Sequence, residues 1–166
     1  AKIHDYMARA YETLETPEDT PPDPQDVERI IKGDGDITHV IMVHCETTSG
    51  ILNPVEEIAE ICAAQGRAFI IDAMSAFGAI QIDAQKVHFD AVMASSNKCL
   101  EGVPGMGFAI IRKSALETCK GNAHSLSLDL YDQWQAMEAN NQWRFTPPTH
   151  VIAAFAKALD LYEAEG

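Results

Sequence analysis

Residues 67–72 read RAFIID and run directly into AMSAFG (73–78), and this stretch decides the fold. Ala68, Phe69, Ile70 and Ile71 are consecutive apolar positions of strand length. Such a run has both faces covered, the mark of a parallel sheet flanked by helices. Before it lies VEEIAEICAAQG (55–66), with Val55, Ile58, Ile61 and Cys62 on one helical stripe and Gly66 as its stop. Working outward, ITHVIMVH (37–44), AVMASS (91–96) and GFAIIR (107–112) repeat the strand pattern. Helical spacing recurs at 26–32, 114–119, 130–139 and 150–166. GDGD (33–36), Asn53-Pro54 and Pro147-Pro148 punctuate these elements. Four prolines make TPEDTPPDPQ (16–25) a loop. Ahead of it, the opening stretch 1–9 places Ile3, Tyr6, Met7 and the following Ala10 at helical spacing, and residues 11–16 alternate as a short strand would. Strands alternating with helices predict an α/β fold with a mostly parallel sheet covered by helices.

The chain has 166 residues, 46% hydrophobic and 22% charged. That size favours one domain, and the composition excludes disorder, a coiled coil and collagen. A net charge of −13 argues against nucleic acid and anionic lipid as partners. Much of the acid crowds between Glu12 and Glu28, where a solvated face is the expectation. No apolar run approaches the ~18 residues of a spanning helix, and no charged-then-apolar leader opens the sequence. Cys45, Cys62, Cys99 and Cys119 show no C-x-x-C spacing, which speaks against a zinc site or a redox pair. Scattered thiols without a leader point to a reducing cytoplasm. The histidines, His4 among them, lack metal-ligand spacing, so no metal is expected. GVPGMG (102–107) precedes a strand instead of opening a helix, so it is not a nucleotide-phosphate loop.

In open α/β sheets, ligands gather at the carboxyl ends of strands. One end here carries His44-Cys45-Glu46-Thr47-Thr48-Ser49-Gly50. The next carries Asp72-Ala73-Met74-Ser75, and the third Ser95-Ser96-Asn97-Lys98. Taken alone, a strand-end Asp is usually a turn former and such a Lys a solvated residue. An amine and a carboxylate at neighbouring strand ends nevertheless suit pyridoxal 5'-phosphate. That cofactor needs a lysine for its aldehyde and an acid beside its ring nitrogen. The same lysine can then carry a proton. For the neighbours, plainer readings compete. His44 is either near the site or a satisfied structural histidine. Cys99 is an inert thiol or one activated by the adjacent ammonium. Trp134 and Trp143 are packing residues, and Glu46 braces its loop.

HCETTSGILNP (44–54), FIIDAMSAFG (69–78) and SSNKCLEGVPGMGFAI (95–110), in this order, resemble the 2-aminoethylphosphonate–pyruvate aminotransferases. These are class V aminotransferases, pyridoxal-phosphate enzymes of fold type I. Lys98 follows Asp72 by 26 residues, as in that class. SLDLYDQWQAMEANNQWRFTPPTH (127–150) extends the resemblance, which runs from about Thr38 to the end.

The resemblance implies the following roles. Lys98 is the Schiff-base lysine and proton shuttle, and Asp72 pairs with the pyridine nitrogen. Thr47 lies beside the cofactor, Met74 packs on its ring face and Asn97 is near its phosphate. Thr146 reaches the phosphate of the partner subunit's cofactor, which implies a homodimer with shared active sites. The implied reaction passes the amino group of 2-aminoethylphosphonate to pyruvate, giving phosphonoacetaldehyde and L-alanine, in phosphonate degradation. Two neighbouring readings remain: an alanine–glyoxylate or serine–pyruvate aminotransferase, and a non-catalytic α/β fragment. Against the family's length, residues 1–166 are expected to be one partial, cofactor-binding large domain. The N-terminal phosphate-cradling region and the C-terminal small domain are expected to be absent. Surface exposed for that reason predicts association or marginal stability.

Overall fold

The computed structural model describes residues 5–166. Helix α1 (Pro24–Gly33) starts where the Asp23 carboxylate accepts from the Gln25 amide at 2.8 Å, with Pro24 in the first turn. It buries Val27 and Ile31, one turn apart. Strand β1 (His39–Val43) follows, then α2 (Val55–Ala64) and β2 (Ala68–Asp72). Helix α2 buries Val55, Ile58, Ala59 and Cys62, and Ile61 of the expected stripe packs half-buried against the same core. Gly66 ends it in the left-handed region (φ 64°). There the Gly66 amide donates to the Ala63 carbonyl and the Arg67 amide to that of Cys62, a Schellman closure.

Strands β3 (Ala91–Ser95) and β4 (Gly107–Ile111) complete a four-stranded sheet of order β1-β2-β3-β4. The first three strands are parallel and β4 is antiparallel to β3. The expected mostly parallel sheet flanked by helices is therefore observed. Phe69, Ile71 and Val92 join the buried residues of α1 and α2 in one core with Val87 and Phe89. Burial within it pushes the Cys62 thiol up to about 11, with the nearby Asp90 charge adding to the effect. That thiol stays protonated and inert.

Full cover on both faces holds only towards the sheet centre. Ile41 on β1 and Ile110 on β4 are 53% and 49% exposed. Edge strands have a neighbour on one side only, so their side chains receive less cover. Helix α3 (Lys113–Glu117), α4 (Leu130–Asn140) and α5 (Thr149–Glu165) follow the sheet. Phe155 of α5 stacks on Phe108 of β4 at 5.7 Å between centroids. The Tyr162 hydroxyl donates to the Gly78 carbonyl at 2.7 Å.

The chain divides into two units. The sheet unit comprises Pro17–Arg112 and Pro148–Gly166. The second comprises Ala1–Thr16 and Lys113–Pro147 and, among the described residues, contains no strand. Residues 11–16 thus form exposed irregular chain instead of the expected strand, because their unit offers no sheet to pair with. Of the helical reading at 1–9, Ile3 lies outside the described residues, as does His4. Asp5 and Tyr6 are helical, and the chain leaves the helix by Ala8 (φ 50°). In α4 the Asp129 carboxylate caps the Asp132 amide at 3.0 Å, and Asn141 closes the other end at φ 57°. Among the described residues, no helix is long and apolar enough to cross a membrane.

Candidate active site

The three parallel strands end on one edge of the sheet. Val43 pairs with Asp72, and Asp72 with Met93, so Ser95 lies two residues further along β3. Every polar strand-end segment of the sheet unit singled out in the sequence therefore follows this edge.

At the end of β2, the Asp72 carbonyl accepts from the His44 amide at 2.7 Å, and the Ala73 amide donates to the Met93 carbonyl at 2.9 Å. The Asp72 carboxylate is half-buried. Its Oδ1 accepts from the Met74 amide at 3.0 Å. One oxygen thus makes the turn expected of a strand-end Asp, while Oδ2 has no partner among the described residues and stays open to a ligand proton. Met74 is half-buried in the same turn.

The Thr47 and Ser75 hydroxyls meet at 2.6 Å, joining the loop after β1 to the turn after β2. Only one of the two protons is used in that bond, so one hydroxyl proton is left for a ligand oxygen. Glu46 supports the loop through its side chain: Oε1 accepts from Asn53 Nδ2 at 3.2 Å, and the same nitrogen donates to the Val43 carbonyl at 2.8 Å.

Lys98 and Asn97 are exposed, while their neighbours Ser96, Cys99 and Leu100 are buried or half-buried. The Cys99 thiol donates to the Ser75 carbonyl at 3.5 Å, which holds the Lys98 loop against the turn carrying Asp72. This bond supports the inert reading of Cys99. Leu100 packs on Gly78, where an added Cβ would come within 2.7 Å of Leu100 Cδ2. The Lys98 ammonium forms no hydrogen bond or ion pair among the described residues, while the Lys98 carbonyl accepts from the Glu101 amide at 2.8 Å.

Two groups carry information the sequence did not supply. Ser95 Oγ, at the end of β3, is buried with no hydrogen-bond partner. Its position three residues before Lys98 was the available signal. His44 is 6% exposed, and its Nδ1 is also without a partner, so it is not the satisfied structural histidine of the plainer reading. Burial holds its pKa below the usual 6.5, against an opposing pull from Glu56. His44 lines a cleft of about 170 Å³ with Leu52, Asn53, Glu56, Ile80 and Val87, and neither Asp72 nor Lys98 contributes to it. Thr146 belongs to the second unit. There it is exposed on the segment between α4 and α5.

Residues 10–166 match the class-V aminotransferase family. The chain belongs to that family. Over all 166 residues it is 57% identical to the 2-aminoethylphosphonate–pyruvate transaminase 2 of Burkholderia lata, covering 44% of that protein. It is 56% identical to the 2-aminoethylphosphonate–pyruvate transaminase of Pseudomonas aeruginosa, covering all of this chain and 45% of that protein. The chain therefore spans less than half the length of these curated relatives. Among solved structures it is similar to a pyridoxamine–pyruvate aminotransferase from Mesorhizobium loti. The TM-score is 0.83 at 32% identity, over 92% of this chain and 40% of that one. An alanine–glyoxylate aminotransferase from a Nostoc species gives a TM-score of 0.86 at 19% identity, over 99% of this chain and 44% of that one, a likeness of fold.

Proposed function

We propose that this chain carries the cofactor centre of a pyridoxal-phosphate-dependent aminotransferase. Its amino donor is 2-aminoethylphosphonate and its acceptor is pyruvate, giving phosphonoacetaldehyde and L-alanine, a step of phosphonate degradation. The observation that carries the reading is the shared sheet edge, where the Cys99–Ser75 bond ties the Lys98 loop to the Asp72 turn.

The residues present fit the cofactor. Ser95 Oγ is a buried donor with no protein acceptor, as a phosphate-facing hydroxyl would be. The Thr47–Ser75 pair has one proton to spare. Asp72 keeps a free carboxylate oxygen, and Lys98 has no competing partner. Bound here, pyridoxal phosphate would supply an aldehyde that takes up the amino group and a ring that withdraws electrons from the adjacent carbon.

In this reading Lys98 Nζ would be the amine that holds the cofactor aldehyde, and as a free amine it would hold and move the substrate proton. Asp72 Oδ2 would hold the proton on the ring nitrogen. Met74 would flank the ring, Thr47 and Ser75 would orient it, and Ser95 and Asn97 would hold the phosphate. Thr146 serves the partner subunit's cofactor in a homodimer. Leu126, Leu128, Trp143 and Phe145, exposed apolar side chains of the same unit, support a covered surface there. Both units belong to the large, cofactor-binding domain. Four free cysteines support a reducing cytoplasm as the site of action.

The test is an amino-donor screen with pyruvate and added pyridoxal phosphate. Phosphonoacetaldehyde and alanine in equal amounts from 2-aminoethylphosphonate are expected. Alanine formed from serine but not from 2-aminoethylphosphonate would overturn the substrate assignment.

A further inference from the structure

Lys98 lies in the loop that joins β3 to β4, and an exposed lysine on a loop is a poor nucleophile unless something holds the loop still. The residue that does so stands two positions earlier. Ser96 is fully buried, and all three of its polar atoms bind across the mouth of the loop. Its amide donates to the Met106 carbonyl at 3.1 Å, and its carbonyl accepts from the Gly102 amide at 2.7 Å. Its hydroxyl donates to the Val103 carbonyl at 2.7 Å, with the Met106 carbonyl further off at 3.3 Å.

The two backbone bonds are open to any residue. The hydroxyl bond is specific to this side chain. Inside this closure, the Lys98 carbonyl accepts from the Glu101 amide at 2.8 Å. That turn requires Glu101 to adopt φ 56°, an unfavourable value for a residue with a Cβ. It persists only where the surroundings impose it. Gly102 completes the fit: an added Cβ would come within 2.6 Å of the Ser96 carbonyl oxygen and 3.2 Å of Phe155 Cδ2.

We propose that Ser96 is a positioning residue: its buried hydroxyl clamps residues 96–106 and so fixes the backbone that presents Lys98. Its role as a positioner of the cofactor lysine rests on the function proposed above. The clamp itself rests only on the geometry of the loop.

Two measurements separate these. The first is hydrogen exchange at the Glu101 and Gly102 amides without cofactor, in wild type, Ser96→Ala and Ser96→Cys. The second is the pyridoxal phosphate concentration that gives half-maximal borohydride-fixed label at Lys98. In that reaction the amine adds to the aldehyde carbon, water leaves, and borohydride reduces the new carbon–nitrogen double bond. Ile58→Val, a core change on α2, controls for general loss of stability.

Ser96→Ala is expected to speed exchange at Glu101 and Gly102 about tenfold and to raise the half-labelling concentration about tenfold. Ser96→Cys, similar in size with a weak donor, is expected between Ser96→Ala and wild type. Ile58→Val should leave both readings unchanged. If Ser96→Ala folds poorly, Gly102→Ala strains the same clamp from the opposite side and should produce the same pair of changes. Unchanged exchange and labelling in Ser96→Ala would overturn the proposal, as would a labelling loss matched by Ile58→Val. A wild-type chain unlabelled at Lys98 would contradict the cofactor reading and the lysine-positioning role with it. The exchange rates would then decide the clamp alone, faster in Ser96→Ala supporting it and unchanged overturning it.

Discussion

The two units of this chain are held together by different chemistry. The sheet unit has a closed apolar core in which Ile58, Phe69, Ile71 and Cys62 are fully buried. In the second unit no described residue is buried, and Leu126 and Leu128 are 73% and 76% exposed. Polar contacts organise it instead. The Arg144 guanidinium donates to the Leu126 carbonyl at 3.0 Å, approaches that of Asp129 at 3.4 Å and faces Asp132 at 3.4 Å. Arg9 donates to the Asn122 side chain at 2.6 Å. Burial of apolar area makes one unit rigid enough to align groups from three strands. The other holds its shape through directional bonds and leaves apolar side chains outward.

The largest contrast concerns chemistry. Lys98→Ala in the sheet unit is expected to lower alanine formation at least about a thousandfold, the scale of losing a positioned base. Thr146→Ala in the second unit should cost about tenfold in cofactor affinity, one hydrogen bond's worth. Equal losses in a steady-state assay would break the division of labour between the units. Stability provides the next contrast. Ile58→Ala should destabilise by ~2–5 kcal/mol in thermal unfolding. Leu128→Ala should stay within ~0.5 kcal/mol, since its side chain is already in water.

Arg144→Ala is expected to cost ~1–3 kcal/mol locally. Limited proteolysis within residues 126–146 should then quicken while the main transition holds. If the sheet unfolds with it, the two units are one cooperative system.

The smallest effect is with pH. Burial lowers the His44 pKa in the folded chain below the unfolded value of about 6.5. The unfolded state therefore binds the proton more readily. The stability tied to neutral His44 is complete above about pH 6.5 and is lost as pH falls through the lower, folded value. Between pH 7 and 5, denaturant melts of His44→Gln should fall less steeply than those of wild type. Parallel slopes would show that other groups set the acid limit.

Most of the sheet unit was legible because its elements announce themselves locally. RAFIID, AVMASS and GFAIIR are apolar runs with stops on both sides, and Gly66 and Pro24 act within a residue or two of themselves. Ile41 and Ile110 were misjudged as covered, because an edge position depends on strand order, which no single run encodes. Residues 11–16 alternate convincingly, yet a strand needs a partner, and none stands in their unit.

The site divides in the same way. Asp72 and Lys98 follow from the strand-end rule. Ser75, Ser95 and Ser96 do not, since serine is common in loops and only its partners give it meaning. Thr47 and Ser75 are 28 residues apart, and Cys99 and Ser75 are 24 apart. The exposed state of Trp143, read as a packing residue, likewise depends on what covers it.

The central claim is that one sheet edge presents Lys98 to the cofactor. It is tested most directly by adding pyridoxal phosphate, reducing with borohydride and mapping the label by mass spectrometry. One pyridoxyl group per chain at Lys98, lost in Lys98→Ala, is the predicted result. Label spread over exposed lysines such as Lys32 and Lys86, with none favoured at Lys98, would contradict the account.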